Sequence, residues 1–241
     1  MHRFALLLAN LLWLAPWCYG ASANVAVATN FRDAALTLAH EFSTRTGHEL
    51  KVSAGSTGKL YAQIRHGAPF DIFLAADQER PQRLQQEGLT ASAPQTYALG
   101  SLVLIGSGVL NERTLAENGF NKLAIANPEL APYGMAASQA IEHLGVGDTL
   151  EGRIVQGENI GQTLAMVLSG NAELGLVARA LAPPTGELAT WSVPAHWHDP
   201  IAQDGVLLHA GADNPAAVSF YEFLYTPGAQ KLIRAAGYEV P

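Results

Sequence analysis

The chain has 241 residues, 49% hydrophobic and only 15% charged, with 23 glycines and 13 prolines. That is enough apolar sequence to bury one large core or two modest ones, and it excludes a disordered or low-complexity chain. Fourteen Lys and Arg stand against 21 Asp and Glu, a net charge of -7 with no basic run, so the electrostatic footprint of a nucleic-acid binder is missing.

Phe4 to Trp17 is apolar except for Asn10, follows Arg3 and leads into Ala21-Ser22-Ala23. A basic start, an apolar segment of this length and small residues at the -3 and -1 positions predict a secretory signal peptide over residues 1–23, cut after Ala23. A membrane span would need about 20 apolar residues, and Pro16, Gly20 and the Ala-Ser-Ala run would break a core helix. Cys18 follows Trp17, not the small residue of a lipidation site. The exported chain would then carry no cysteine and would be held by its cores.

From Asn24 onward short β-rich runs alternate with amphipathic helical runs. Residues 25–29 (VAVAT) read as a buried strand, and Phe31, Ala34, Ala35, Leu38 and Phe42 then recur at helical spacing up to Gly47, with Asn30 as the expected N-cap and Asp33 in the first turn. The pattern returns at 50–54, followed by Gly55-Ser56-Thr57-Gly58 and a helix ending at Gly67. It returns again at 71–75, followed by a helix capped by Asp77 and ending at Gly88. After Thr96 comes one long apolar stretch, YALGSLVLIG. Strands at 123–127, 153–156, 173–178 and 205–210 follow, with helices over 134–144 and 161–170, a proline-rich loop at Pro183-Pro184 that leads to 188–193, and two more helices from Pro215. This alternation predicts an α/β fold with parallel sheets and a ligand beyond the carboxyl ends of the strands.

The polar turns are therefore the places to look. Thr29-Asn30, Gly55 to Gly58, Pro132-Tyr133-Gly134 and Asn159-Ile160-Gly161 each precede a helix, and each offers unpaired N–H groups at the positive end of a helix dipole. Taken singly, such turns are ordinary helix caps; if they converge, they make an anion site. GSTGK is not a phosphate loop, because Ser53 and Leu60 occupy positions that need Gly and Ser or Thr. Ala54 to Gly58 approximates a nucleophile elbow, which would make Ser56 the nucleophile of a serine hydrolase served by downstream His196, His198, His209, Asp199 and Asp204. Only one strand precedes it in the mature chain, and those partners crowd into one segment. His196-x-His198-Asp199 could ligate a metal, but three ligands so close in sequence read better as a polar surface loop.

VATNF at 27–31, AGSTGKLYAQI at 54–64, GAPFDIFLAAD at 67–77, NPELAPYG at 127–134, GENIGQ at 157–162 and GLVA at 175–178 resemble, in content and order, the periplasmic molybdate-binding (ModA) family, solute receptors of ABC importers. The resemblance implies a two-lobed periplasmic binding fold of type II, each lobe a mixed, mostly parallel sheet flanked by helices, with the ligand in the interlobe cleft. It implies a discontinuous lobe I of residues 24–98 and 202–241 around a lobe II of residues 99–201. It also implies a periplasmic monomer that uses no cofactor, is not an enzyme, and delivers molybdate or tungstate to a membrane permease. Carried over by position, the ligand-binding residues are Thr29, Asn30, Ser56, Thr57, Tyr133 and Ile160, the last through its backbone N–H, with no side chain ligating the metal. Ala178 stands where many members carry a tyrosine, so either Tyr133 makes up that contact or the site has one donor fewer. None of the four turns contains Lys or Arg, so neutral donors and helix ends would hold the dianion. Sulfate shares that chemistry, and another tetrahedral oxyanion is the alternative ligand on the residues alone.

Overall fold

The computed structural model describes residues 20–117, 119–183 and 188–241. Residues 1–19 of the expected signal peptide, Cys18 among them, and Pro184 lie outside the described residues.

Among the described residues, ten strands form two five-stranded sheets. Strands β1 (Ser22–Ala28), β2 (Glu49–Gly55), β3 (Ile72–Leu74), β4 (Gln95–Gly100) and β10 (Ile201–Leu207) make the first, in the order β2-β1-β3-β10-β4. Strands β5 (Leu102–Gly106), β6 (Leu123–Ala126), β7 (Ile154–Gly157), β8 (Leu174–Ala178) and β9 (Ala189–Ser192) make the second, in the order β7-β6-β8-β5-β9. In each sheet the first three strands are parallel, and the strand that has crossed from the other sheet lies antiparallel between its neighbours: β10 between β3 and β4, β5 between β8 and β9. This reciprocal exchange is the type II two-lobed architecture. The apolar stretch YALGSLVLIG is thus two strands of different sheets, with Ser101 at the crossing. The expected lobe limits at 98/99 and 201/202 fall within β4 and at the start of β10.

Helices α1 (Arg32–Thr46), α6 (Pro215–Leu224) and α7 (Pro227–Ala235) cover one face of the first sheet. They bury Leu38, Phe42, Phe220 and Ile233 against Val25, Val27 and Ile72. Helices α2 (Thr57–Arg65) and α3 (Glu79–Gln86) cover the other, with Leu60, Ile64 and Leu84 on Ala26, Phe73 and Val206. In lobe II, α4 (Pro132–His143) and α5 (Ile160–Leu168) close a separate core around Leu104, Ile125, Leu176 and Ala137. The alternation of inward Val and Ala along β1 produces this two-faced burial directly. Gly47, which ends α1, has φ 74°, a left-handed conformation that a side chain would strain.

Three local readings need correction. Asn30 does not cap α1: it lies in a short 3-10 turn, Thr29–Phe31, and Phe31 takes the cap position. The strand expected at 205–210 begins earlier, at Ile201, because the buried polar residues Gln203 and Asp204 interrupt its apolar pattern while remaining in the sheet. The strand expected at 25–29 also begins earlier, at Ser22, so a cut after Ala23 would fall inside β1.

Candidate functional site

The carboxyl ends of β1, β2, β6 and β7 bring the four polar turns face to face across the interlobe cleft. Ala28, Thr29, Asn30, Gly55, Ser56 and Thr57 from lobe I and Ala131, Pro132, Tyr133, Asn159 and Ile160 from lobe II enclose a cavity of about 10 Å³. All six predicted residues line it. A cavity of that size has room for about one water. None of these residues carries a charge.

Capping, the ordinary use of such residues, accounts for only part of this set. Asn159 is a true N-cap, its Oδ1 accepting from the Gln162 N–H at 3.1 Å. Ser56 holds the cap position of α2 but makes no capping bond, and its Oγ is buried with no hydrogen-bond partner. Thr57 Oγ1 accepts from the Ala76 N–H at 3.1 Å, which fixes the hydroxyl and leaves its own proton to donate. A buried hydroxyl with no partner costs free energy unless something arrives to use it. Ser56 is therefore the side chain that most directly marks the cavity as a ligand site.

The helix starts supply the rest. Thr57 is the first residue of α2 and Ile160 the first of α5, while Tyr133 is the second of α4. N–H groups in a first helical turn have no acceptor within the helix and sit at its positive end. Three of them converge here without a competing cation.

Asn30 and Tyr133 do more than line the cavity. Asn30 Nδ2 donates to Gln203 Oε1 at 2.8 Å and to the Tyr238 hydroxyl at 3.1 Å, and the Tyr238 hydroxyl donates to the Asn30 carbonyl at 2.6 Å. Both amide protons of Asn30 are thus used inside the protein, leaving its backbone N–H for a ligand. Gln203 Nε2 in turn donates to the Tyr133 hydroxyl at 3.3 Å, joining the first turn of lobe I through β10 to α4 of lobe II. Burial holds Tyr133 and Tyr97 in the neutral form, their hydroxyls pushed well above the ordinary tyrosine value. Ala178 ends β8 opposite Leu102, fully buried in the lobe II core, and is not among the cavity-lining residues.

Several contacts across the cleft had no sequence signal. The Gly58 N–H donates to the Leu130 carbonyl at 2.9 Å. Lys59 pairs with Glu158 at 2.6 Å on the rim, and this hydrogen bond holds the Glu158 carboxyl below its usual range. Arg80, paired with Asp77, reaches the Glu129 carbonyl at 2.8 Å. A Cβ built on Gly161 would meet Thr29 Cγ2 at 2.8 Å, so the lobes touch there. The lobes are closed.

Neither rival chemistry is assembled. No histidine lines the cavity, so Ser56 has no base beside it to activate a nucleophile. His196 packs edge-on to His143 and His198 Nδ1 lies 2.7 Å from the Asp199 carbonyl, while Asp199 Oδ2 accepts from Gln139 Nε2. Among the described residues no group of three His, Cys, Asp or Glu side chains could hold a metal ion. Asp33 is exposed and paired with Arg32, away from the cleft.

Residues 23–239 match the family model described as bacterial extracellular solute-binding protein. The chain is 42% identical over 233 residues to the molybdate-binding protein ModA of Azotobacter vinelandii, covering 93% of this chain and 92% of that one. It is 39% identical to the ModA of Rhodobacter capsulatus, covering 88% and 86%. Its fold superimposes on the solved periplasmic molybdate-binding protein of Azotobacter vinelandii with a TM-score of 0.85 and 38% identity, covering 91% of this chain and 99% of that one.

Proposed function

The chain belongs to the bacterial extracellular solute-binding proteins, and among them to the molybdate-binding ModA family, and from that membership we propose how its cleft works. It is a periplasmic receptor that captures molybdate or tungstate between its lobes and delivers the anion to the membrane permease of an ABC-type importer, acting as a monomer. The observation that carries the reading is the orphan Ser56 hydroxyl in a cavity lined by neutral groups and by the starts of three helices.

The binding chemistry follows from that lining. Four anion oxygens need donors only, and Ser56 Oγ, Thr57 Oγ1 and the N–H groups of Asn30, Thr57, Tyr133 and Ile160 are donors. Their dipoles are fixed before the ligand arrives, so charge is balanced without a counter-ion that would itself need desolvating. Phosphate keeps a proton near neutral pH and wants an acceptor for it, and no carboxylate lines the cavity. The preference over sulfate is one of size: donors set for long metal–oxygen bonds leave a smaller anion with stretched contacts, each a loss of about 1.5 kcal/mol. Closure is selected by the ligand because only the closed form presents donors from both lobes at once.

Calorimetric titration with molybdate, tungstate, sulfate and phosphate tests this. Tight binding of the first two, retained in millimolar sulfate, is the expected result. Displacement of micromolar molybdate by millimolar sulfate would leave an oxyanion receptor of different specificity.

A further inference from the structure

The start of the fold places the processing site of the exported chain elsewhere than the Ala-Ser-Ala run suggests. A cut after Ala23 removes three residues that the fold uses. Ser22 and Ala23 open β1 in parallel register with Glu49 and Leu50 of β2, and β1 is the sole neighbour of that edge strand. The Ala21 carbonyl accepts from the Glu49 N–H at 2.9 Å, and the Ala21 N–H donates to His48 Nδ1 at 3.0 Å. The Ser22 carbonyl accepts from Asn214 Nδ2 at 2.9 Å, tying β1 to the residue that caps α6. Ala23 is 1% exposed, within the core that holds Phe42 and Phe220.

A chain beginning at Asn24 loses these bonds and leaves the first two residues of β2 unpaired. It gains one interaction: the new ammonium would sit on Asp71 Oδ2, which already accepts the Asn24 N–H at 2.6 Å. Upstream, the ties weaken to one close backbone approach, of Gly20 to Gly47, where a Cβ on Gly20 would meet the Gly47 carbonyl oxygen at 1.7 Å. Gly20 is exposed, and no hydrogen bond joins it to another described residue. Signal peptidase needs small residues at -1 and -3, and Gly20 and Cys18 are small, as are Ala23 and Ala21.

We infer that the leader is removed between Gly20 and Ala21, leaving β1 whole and the freed amine of Ala21 against His48 Nδ1. The inference rests on the reading of the chain as an exported receptor. It goes beyond that reading by fixing which residue begins the working protein.

The test is N-terminal sequencing with intact-mass measurement of the full-length gene product recovered from the periplasm. The expected sequence is Ala-Ser-Ala-Asn-Val. A product beginning Asn-Val-Ala overturns the proposed site and leaves the receptor reading intact, whereas a soluble product retaining residues 1–20 overturns both. Two variants separate the sites by which N-terminus appears. Gly20→Phe places a bulky residue at -1 of the proposed site and should abolish the species beginning at Ala21, with the precursor accumulating or the cut displaced to another bond. Ala21→Phe changes the -3 residue of the alternative site and only the +1 residue of the proposed one, on which the small-residue requirement does not bear, and should still be cut after Gly20; loss of processing in that variant, with normal processing of Gly20→Phe, overturns the proposal.

Discussion

Ser56 is 3% exposed, and its hydroxyl makes no hydrogen bond, so it burdens the closed protein and serves only a ligand. An unsatisfied buried hydroxyl costs about 1–3 kcal/mol, and a hydrogen bond to a charged partner contributes about 1.5–3 kcal/mol. Ser56→Ala should therefore weaken molybdate binding about tenfold to a hundredfold while the melting temperature of the ligand-free protein stays level or rises. A fall in stability with unchanged affinity would show that the hydroxyl serves the fold instead. Ile160 separates backbone from side chain. Proline is favoured at the first position of a helix, and Asn159 before it is extended at φ -151° and ψ 170°, as a residue preceding proline must be. Ile160→Pro should fold and lose affinity by about 1.5–3 kcal/mol. Ile160→Ala keeps the N–H but empties a 3% exposed core position, and should cost about 2–5 kcal/mol of stability with little change in affinity. Equal affinity losses, read by calorimetry, would assign the contact to side-chain packing. Sequence made the location of these residues legible, since strand, polar turn and helix start are local patterns. It did not reveal the use of Asn30, whose amide partners Gln203 and Tyr238 lie 173 and 208 positions away.

At the scale of elements, the strand-turn-helix units were readable because burial on both faces of the sheets leaves continuous apolar runs bounded by glycine. The sequence pattern of β10 is shorter than the strand for the opposite reason. Its buried Asp204 is satisfied by Thr96 Oγ1 at 2.6 Å and Gln78 Nε2 at 3.2 Å, partners from distant segments that no window on the strand contains. The division of YALGSLVLIG between two sheets likewise depends on which strands arrive later as neighbours. The start of α5 gives a test of closure itself. Gly161 lies in the first turn of a helix, where alanine is intrinsically favoured over glycine by about 1 kcal/mol, but its Cβ would lie 2.8 Å from Thr29 Cγ2 across the cleft and 3.2 Å from the Asn159 cap oxygen. Gly161→Ala should leave lobe II folded and hold the lobes apart. Small-angle scattering should then show a larger radius of gyration under saturating molybdate than the native protein gives, with weaker binding. A variant that compacts and binds as the native protein does would mean that the lobes meet elsewhere.

For the whole molecule, two cores joined by β5 and β10 make a clamp whose polar joint is the buried Asn30, Gln203, Tyr133, Tyr97 and Tyr238 cluster. Burial raises the hydroxyls of Tyr97, Tyr133, Tyr225 and Tyr238 above the ordinary value near 10. The unfolded chain therefore releases these protons first as pH rises. Their contribution to stability is fully present below about pH 10 and is lost above it, so thermal melts should show a steep alkaline decline there; phenolate absorbance from all the tyrosines together near pH 10 without loss of structure would contradict the closed joint. The central claim is that one molybdate sits between the lobes on neutral donors, and anomalous diffraction at the molybdenum edge from crystals grown with molybdate tests it most directly. The predicted result is a single strong peak inside the closed cleft, its oxygens within hydrogen-bonding reach of Ser56 Oγ and the N–H groups of Tyr133 and Ile160. A peak outside the cleft, or a molybdenum ligated directly by side chains such as His196 and His198, would contradict it.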